Sequence, residues 1–96
     1  MSWPNGVPFT LRLNPAFPNP FNAQTTITFE ISHSAFTSLS LYNPLGQQVR
    51  QLIPAGWWFE GKYNFTVNAS QLPAGKYFIR LETAGRLRSQ TVTILK

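Results

Sequence analysis

Thr25-Thr26-Ile27-Thr28-Phe29-Glu30-Ile31 is the stretch on which the fold turns. Apolar and polar residues alternate along it. In an extended chain this sends Ile27, Phe29 and Ile31 to one side and Thr26, Thr28 and Glu30 to the other. A helix would scatter the same apolar side chains around its circumference. The β-branched and aromatic residues also suit a pleated, half-buried surface. The stretch predicts a β-strand with one face in a core and one in water.

The same pattern recurs on both sides of it. Phe9 to Leu13 alternates, and predicts a first strand. Asn14 to Asn22 follows, with Pro15, Pro18 and Pro20. Proline removes backbone donors and keeps the preceding residue extended, so this segment predicts a turn-rich crossover, anchored in the core by Phe17 and Phe21. After Ser32 to Ala35 turns the chain, Phe36 to Tyr42 predicts a strand with Leu39 and Leu41 inward. Asn43-Pro44-Leu45-Gly46 reads as a turn. Gln47 to Ile53 predicts a strand with Val49 inward, ended by Pro54-Ala55-Gly56. Gly61 to Val67 carries Tyr63, Phe65 and Val67 in phase. Asn68 to Gly75 is a long turn. Lys76 to Thr83 has Tyr77, Ile79 and Leu81 in phase, Ala84-Gly85 is a tight hairpin signal, and Arg86 to Lys96 is the last strand. Leu87 is out of phase with Val92 and Ile94, which predicts a bulge between Ser89 and Thr91. Seven short strands with turns at this spacing predict an all-β fold, a seven-stranded antiparallel immunoglobulin-like β-sandwich. Residues 9–96 form its single domain; residues 1–8 read as a linker or flexible N-terminus.

Composition narrows the functions open to such a domain. With 96 residues, a chain buries roughly 60–65% of its unfolded surface, enough for one thin core. Charged residues are only 11% of the chain, and eight Lys and Arg outnumber three acids to give a net charge of +5. The basic residues are scattered, so they read as a solvated positive face; no nucleic-acid partner is expected. No run approaches the ~20 apolar residues of a membrane span. Met1 to Gly6 lacks the basic and apolar regions of a signal peptide. The module is therefore expected to be part of a longer chain, with Met1 an added start, and to be a monomer in isolation.

Catalytic groups are sparse. There is no Cys and no Asp, one His, and only Glu30, Glu60 and Glu82 as carboxylates. Disulfides, thiolate chemistry and a Ser-His-Asp triad are excluded. The Glu residues fall on different elements, Glu30 and Glu82 opposite the apolar stripes, which leaves no facing pair for general acid–base work and no cluster for a metal. No enzyme activity and no cofactor are expected. His33, between Ser32 and Ser34, reads as a loop residue. One aromatic run stands out. Trp57-Trp58-Phe59 lies in the predicted loop between the fourth and fifth strands, where it forms either a ligand platform, for a polysaccharide above all, or a cap on the end of a thin core. Adjacent extended residues point opposite ways, so at most one tryptophan shares a face with Phe59.

Three motifs in order carry a resemblance. Phe17-Pro18-Asn19-Pro20-Phe21-Asn22 followed by Thr25-Thr26-Ile27-Thr28-Phe29 is similar to the opening of the type A C-terminal sorting domains of the type IX (Por) secretion system of Bacteroidota. Leu41-Tyr42-Asn43-Pro44-Leu45-Gly46-Gln47-Gln48-Val49 resembles their second motif, and Leu72-Pro73-Ala74-Gly75-Lys76-Tyr77-Phe78-Ile79-Arg80-Leu81 their third. Val92-Thr93-Ile94-Leu95-Lys96 resembles their apolar ending with a lysine. A related immunoglobulin-like module of flagellar hook-capping proteins shares much of the pattern.

The resemblance implies a non-catalytic signal that directs a fused protein through the periplasm and the type IX outer-membrane translocon, to be secreted or held at the cell surface. It implies a sortase-like protease as second partner, which cuts at or before residues 1–8 and joins the cargo to anionic lipopolysaccharide. Carried over by position, the recognised residues are Gly75, Tyr77, Arg80, Leu81, Arg86, Arg88, Val92, Ile94 and Lys96. Trp57-Trp58-Phe59 departs from the pattern, and leaves a carbohydrate-binding module as the alternative, beside a passive immunoglobulin-like spacer.

Overall fold

The computed structural model describes residues 8–96. Strands are β1 (Leu11–Leu13), β2 (Gln24–Ile31), β3 (Ala35–Tyr42), β4 (Gln48–Trp58), β5 (Gly61–Asn68), β6 (Gly75–Thr83) and β7 (Arg86–Ile94). They form a three-stranded sheet in the order β1-β2-β5 and a four-stranded sheet in the order β4-β3-β6-β7, with every strand pair antiparallel. The chain changes sheet after β2, after β4 and after β5, as a β-sandwich requires. Apart from Pro8, the expected linker over residues 1–8 lies outside the described residues.

The core follows the alternation. Ile27, Phe29 and Ile31 of β2 face Leu39 and Leu41 of β3, Ile79 and Leu81 of β6, and Val92 and Ile94 of β7, none more than 1% exposed. Burying side chains of this size contributes roughly 1.5–3 kcal/mol each before conformational entropy is charged. An aromatic cluster joins the two sheets at one end. The Phe29 ring stacks on Tyr63, its cross-strand partner, at 5.4 Å between centroids, and Trp58 meets Tyr63 edge-on at 4.7 Å. Nearby on the inner face of the four-stranded sheet, the Thr37 and Thr83 hydroxyls pair at 2.9 Å, so a buried polar couple leaves neither oxygen unsatisfied.

Four expectations are corrected. Phe17 is 80% exposed and does not anchor the core. Its backbone bridges to Thr26, which turns its side chain outward; Phe21 is buried as expected, and Ala16 takes the second buried place in that segment. Strand β4 does not stop at Pro54 but runs on to Trp58. It pairs only with β3, and a proline on an edge strand costs no ladder bond when its missing N–H would face solvent. Trp57 and Trp58 therefore close a strand rather than occupy a loop. There is no bulge between Ser89 and Thr91. The β6–β7 register is unbroken from Gly75↔Ile94 to Thr83↔Arg86, and Leu87 simply sits on the outer face, 43% exposed. The register shifts fall between β3 and β4 instead. The two-residue hairpin at Ala84-Gly85 is as expected, with both residues at positive φ, 52° and 74°.

Truncating Phe29 to Ala removes the ring on which Tyr63 stacks. Urea unfolding should show a loss of about 3–5 kcal/mol, against a change within about 0.5 kcal/mol for the exposed Phe17→Ala; equal losses would contradict this account of the core.

Candidate recognition surface

The closing hairpin β6–β7 borders one side of the four-stranded sheet, and a strand at a sheet edge normally leaves a row of N–H and C=O groups open to another chain. Here the proline-rich segment covers half of that row. Phe21 donates its N–H to Thr93 O at 3.0 Å and accepts from Leu95 N–H at 2.7 Å, which forms a parallel bridge to Ile94. Asn19 extends this with its side chain alone: Nδ2 donates to Thr91 O at 3.1 Å, and Oδ1 accepts from Thr93 N–H at 3.0 Å. The carboxamide thus stands in for a peptide group of a neighbouring strand. Gln90 does the same from the other direction. Its Oε1 accepts from Ala16 N–H and its Nε2 donates to Asn14 O, both at 2.8 Å. Asn14 and Phe17 are meanwhile bonded to β2, at Thr28 O and Thr26 O. One crossover therefore ties the three-stranded sheet to the last strand of the other.

The turn after β3 is pinned by Asn43. Its Oδ1 accepts from the N–H groups of Leu45 and Gln47, both at 3.0 Å, while Gly46 takes φ 81°. At the start of β6, Tyr77 is buried and its hydroxyl donates to Pro73 O at 2.7 Å. A tyrosine near the start of this strand that bonds back to the chain upstream is the tyrosine corner of immunoglobulin-like domains. Gly75 precedes it at φ 145°, with nothing within 4 Å of where a Cβ would stand. Backbone conformation, not crowding, is what calls for glycine there.

Residues 15–95 match the family model for secretion-system C-terminal sorting domains. The chain belongs to that family. The match takes in the Asn19–Phe21 staple, the Asn43 turn, the tyrosine corner and nearly all of the closing hairpin. Sorting domains of this family are C-terminal signals for type IX secretion, so this one marks an attached protein for export to the cell surface or beyond. No curated protein sequence matches the chain.

The sorting domain separates the residues named from sequence into two groups. Tyr77, Leu81, Val92 and Ile94 lie in the core, at 6% exposure or less, and Gly75 shapes the strand entry. Arg80, Arg86, Arg88 and Lys96 carry charge at the surface. Arg80 lies with its guanidinium 5.4 Å from the Tyr42 ring centre and 3.8 Å from Glu82. Arg86 stands over the edge of the core, 5.7 Å from the Phe9 ring, and Arg88 bonds to Leu87 O. Lys96 reaches across to the turn after β5, where Nζ donates to Ser70 O at 3.0 Å. The three aromatic residues also part. Trp58 is half-buried against Phe29 and Tyr63, whereas Trp57 and Phe59 are 57% and 71% exposed. Trp58 is thus the cap of the core, and Trp57 packs edge-on against Phe36 at 5.7 Å on the outer face. Sequence reasoning missed Asn14, Asn19 and Gln90. An isolated Asn or Gln in a loop or strand gives no signal of which distant backbone it will meet.

Asn19→Ala removes two bonds to β7 and should cost about 1–3 kcal/mol. Hydrogen exchange at the Thr93 amide should quicken more than at the Thr91 amide, which Asn19 does not accept from; uniform quickening would mean global destabilisation and no staple. Tyr77→Phe should cost about 1–2 kcal/mol in thermal or urea unfolding, by loss of the hydroxyl bond to Pro73 O; an unchanged midpoint would deny the corner its structural role.

Proposed function

We propose that the export machinery reads the folded closing hairpin of this domain, with Arg80, Arg86, Arg88 and Lys96 as its charged contacts. Gly75, Tyr77, Leu81, Val92 and Ile94 act through the shape and register they impose on that hairpin. The observation that carries the reading is the division of the hairpin itself: Tyr77, Leu81, Val92 and Ile94 are locked in the core and cannot meet a partner, while Arg80 lies on the outer face of β6 and Arg86 and Arg88 on the exposed first half of β7. Separated surface charges of one sign steer association more than they strengthen it, which suits a label bound and then released. Asn19 and Phe21 cover the second half of the β7 edge, which leaves its first half, around Ser89 and Leu87, where the Arg88 guanidinium donates to Leu87 O. A partner strand that pairs with β7 would do so there.

Type IX translocon components are the first partner on this reading and a sortase-like protease the second, which acts at or before residues 1–8. Pro8 is exposed, whereas Phe9 is buried and Thr10 is bonded to Ser32, so the fold holds the chain from Phe9 onward. On this reading the domain acts as a signal and not as a catalyst, and Glu30 and Glu82 are exposed on outer faces of different sheets.

The test fuses the chain behind a signal peptide and a reporter enzyme in a type IX-competent bacterium. Arg86→Ser with Arg88→Ser replaces no core side chain, although Arg86 covers the Phe9 ring; it should lower reporter release about tenfold or more, while the purified variant remains folded by its cooperative unfolding transition. Normal release from a folded double variant would refute recognition through these arginines.

A further inference from the structure

The outer face of the four-stranded sheet has a pattern that the export reading, which takes from it only Arg80 and the edge at Leu87 and Ser89, leaves unexplained. Two shallow clefts lie end to end on it. One, about 190 Å³, is lined by Phe36, Ser38, Ala55 and Glu82; the other, about 280 Å³, by Tyr42, Asn43, Phe78, Arg80, Leu87 and Ser89. Arg80 and Glu82, 3.8 Å apart, form the divide. Aromatic rings mark both ends, with Phe36 against Trp57 at one and the cross-strand pair Tyr42↔Phe78 at the other. Tyr42 lies six residue steps beyond Phe36 along β3, which is about 20 Å of strand.

We propose that this face is a binding site for an extended, neutral polysaccharide chain. Sugar rings present apolar faces and a rim of hydroxyls, and the trough offers the complement: rings at its ends, and Ser38, Glu82, Arg80, Ser89 and Asn43 as hydrogen-bonding groups between and beside them. Its length suits several sugars in a row rather than one. An extended peptide is a poorer occupant, because β3 and β6 are interior strands whose backbone groups are already bonded to neighbours on both sides. An acidic polymer is also poorer, because Glu82 offsets Arg80 in the middle of the site. Exposed aromatics gathered on one face, Phe36 at 66% and Trp57 at 57%, carry a solubility cost that a ligand would explain. Trp58 takes no part, since its ring belongs to the core.

Affinity electrophoresis of the purified chain tests this independently of export. The probes are hydroxyethylcellulose, xylan and galactomannan as neutral polymers, and alginate as an acidic one. Retardation by at least one neutral polymer is expected, insensitive to 0.5 M salt and weakened about tenfold or more by Trp57→Ala and by Phe78→Ala. Phe17→Ser, on another part of the molecule, should bind as the parent does. For the polymer that binds, calorimetry should show affinity rising from its disaccharide to its hexasaccharide. The proposal is overturned by no retardation on any neutral polymer, by retardation on alginate alone that salt abolishes, or by full retardation of Trp57→Ala and Phe78→Ala variants with unaltered melting. Loss of export in the arginine variant with glycan binding intact would separate the two functions.

Discussion

The structure depends on how the free edge of its last strand is closed. A sandwich of two open sheets has four edges, and each unpaired peptide group must find water or a partner. Strand β7 is a long edge at the border of the core. The proline-rich crossover after β1 lies along it, held by the backbone of Phe21 and by the carboxamide of Asn19. Proline suits that segment because it donates no backbone bond and resists helix, so the chain stays extended while it passes from one sheet to the other. Gln90 completes the closure from within β7. Without this closure the closing hairpin would have a backbone ladder to the rest of the domain through β3 alone, and would otherwise rest on side-chain packing.

The stretches that bear the family's pattern are, in this chain, mostly corners. The first motif is the staple, the second is a turn whose amides converge on the side chain of Asn43, and the third contains the tyrosine corner. Each satisfies backbone groups at a point where the chain changes direction, which is where a thin sandwich has fewest apolar contacts to spare. A sorting label built this way is a rigid shape first. On the proposed reading, the groups offered to a partner are few, charged and exposed, and separate from the corners that hold them.

The two faces of the four-stranded sheet therefore serve different ends. The inner face supplies the core, and the closing edge carries Arg86 and Arg88 of the sorting reading, with Arg80 beside them on the outer face. The outer face holds paired aromatics at both ends of a strand, flanked by hydroxyls and the exposed Arg80–Glu82 pair. Strand geometry alone makes this division possible, because successive side chains on one strand look to opposite sides and are free to answer to different demands.

Alternation by itself determined most of the fold: the strands, the core residues Ile27, Phe29, Leu39, Leu41, Ile79 and Leu81, and the opposite facing of Trp57 and Trp58 all follow from a period of two and from turn chemistry. Ordered motifs carried the family and with it the sorting role. Tertiary structure alone decided the rest. It continued β4 through Pro54 because that strand lies at an edge, and kept Leu87 in register on the outer face. It turned Phe17 to solvent, and it joined Asn14, Asn19 and Gln90 across more than seventy residues of chain. Such pairings depend on which backbone group is left unsatisfied after the sheets have formed, and a local pattern contains no trace of that.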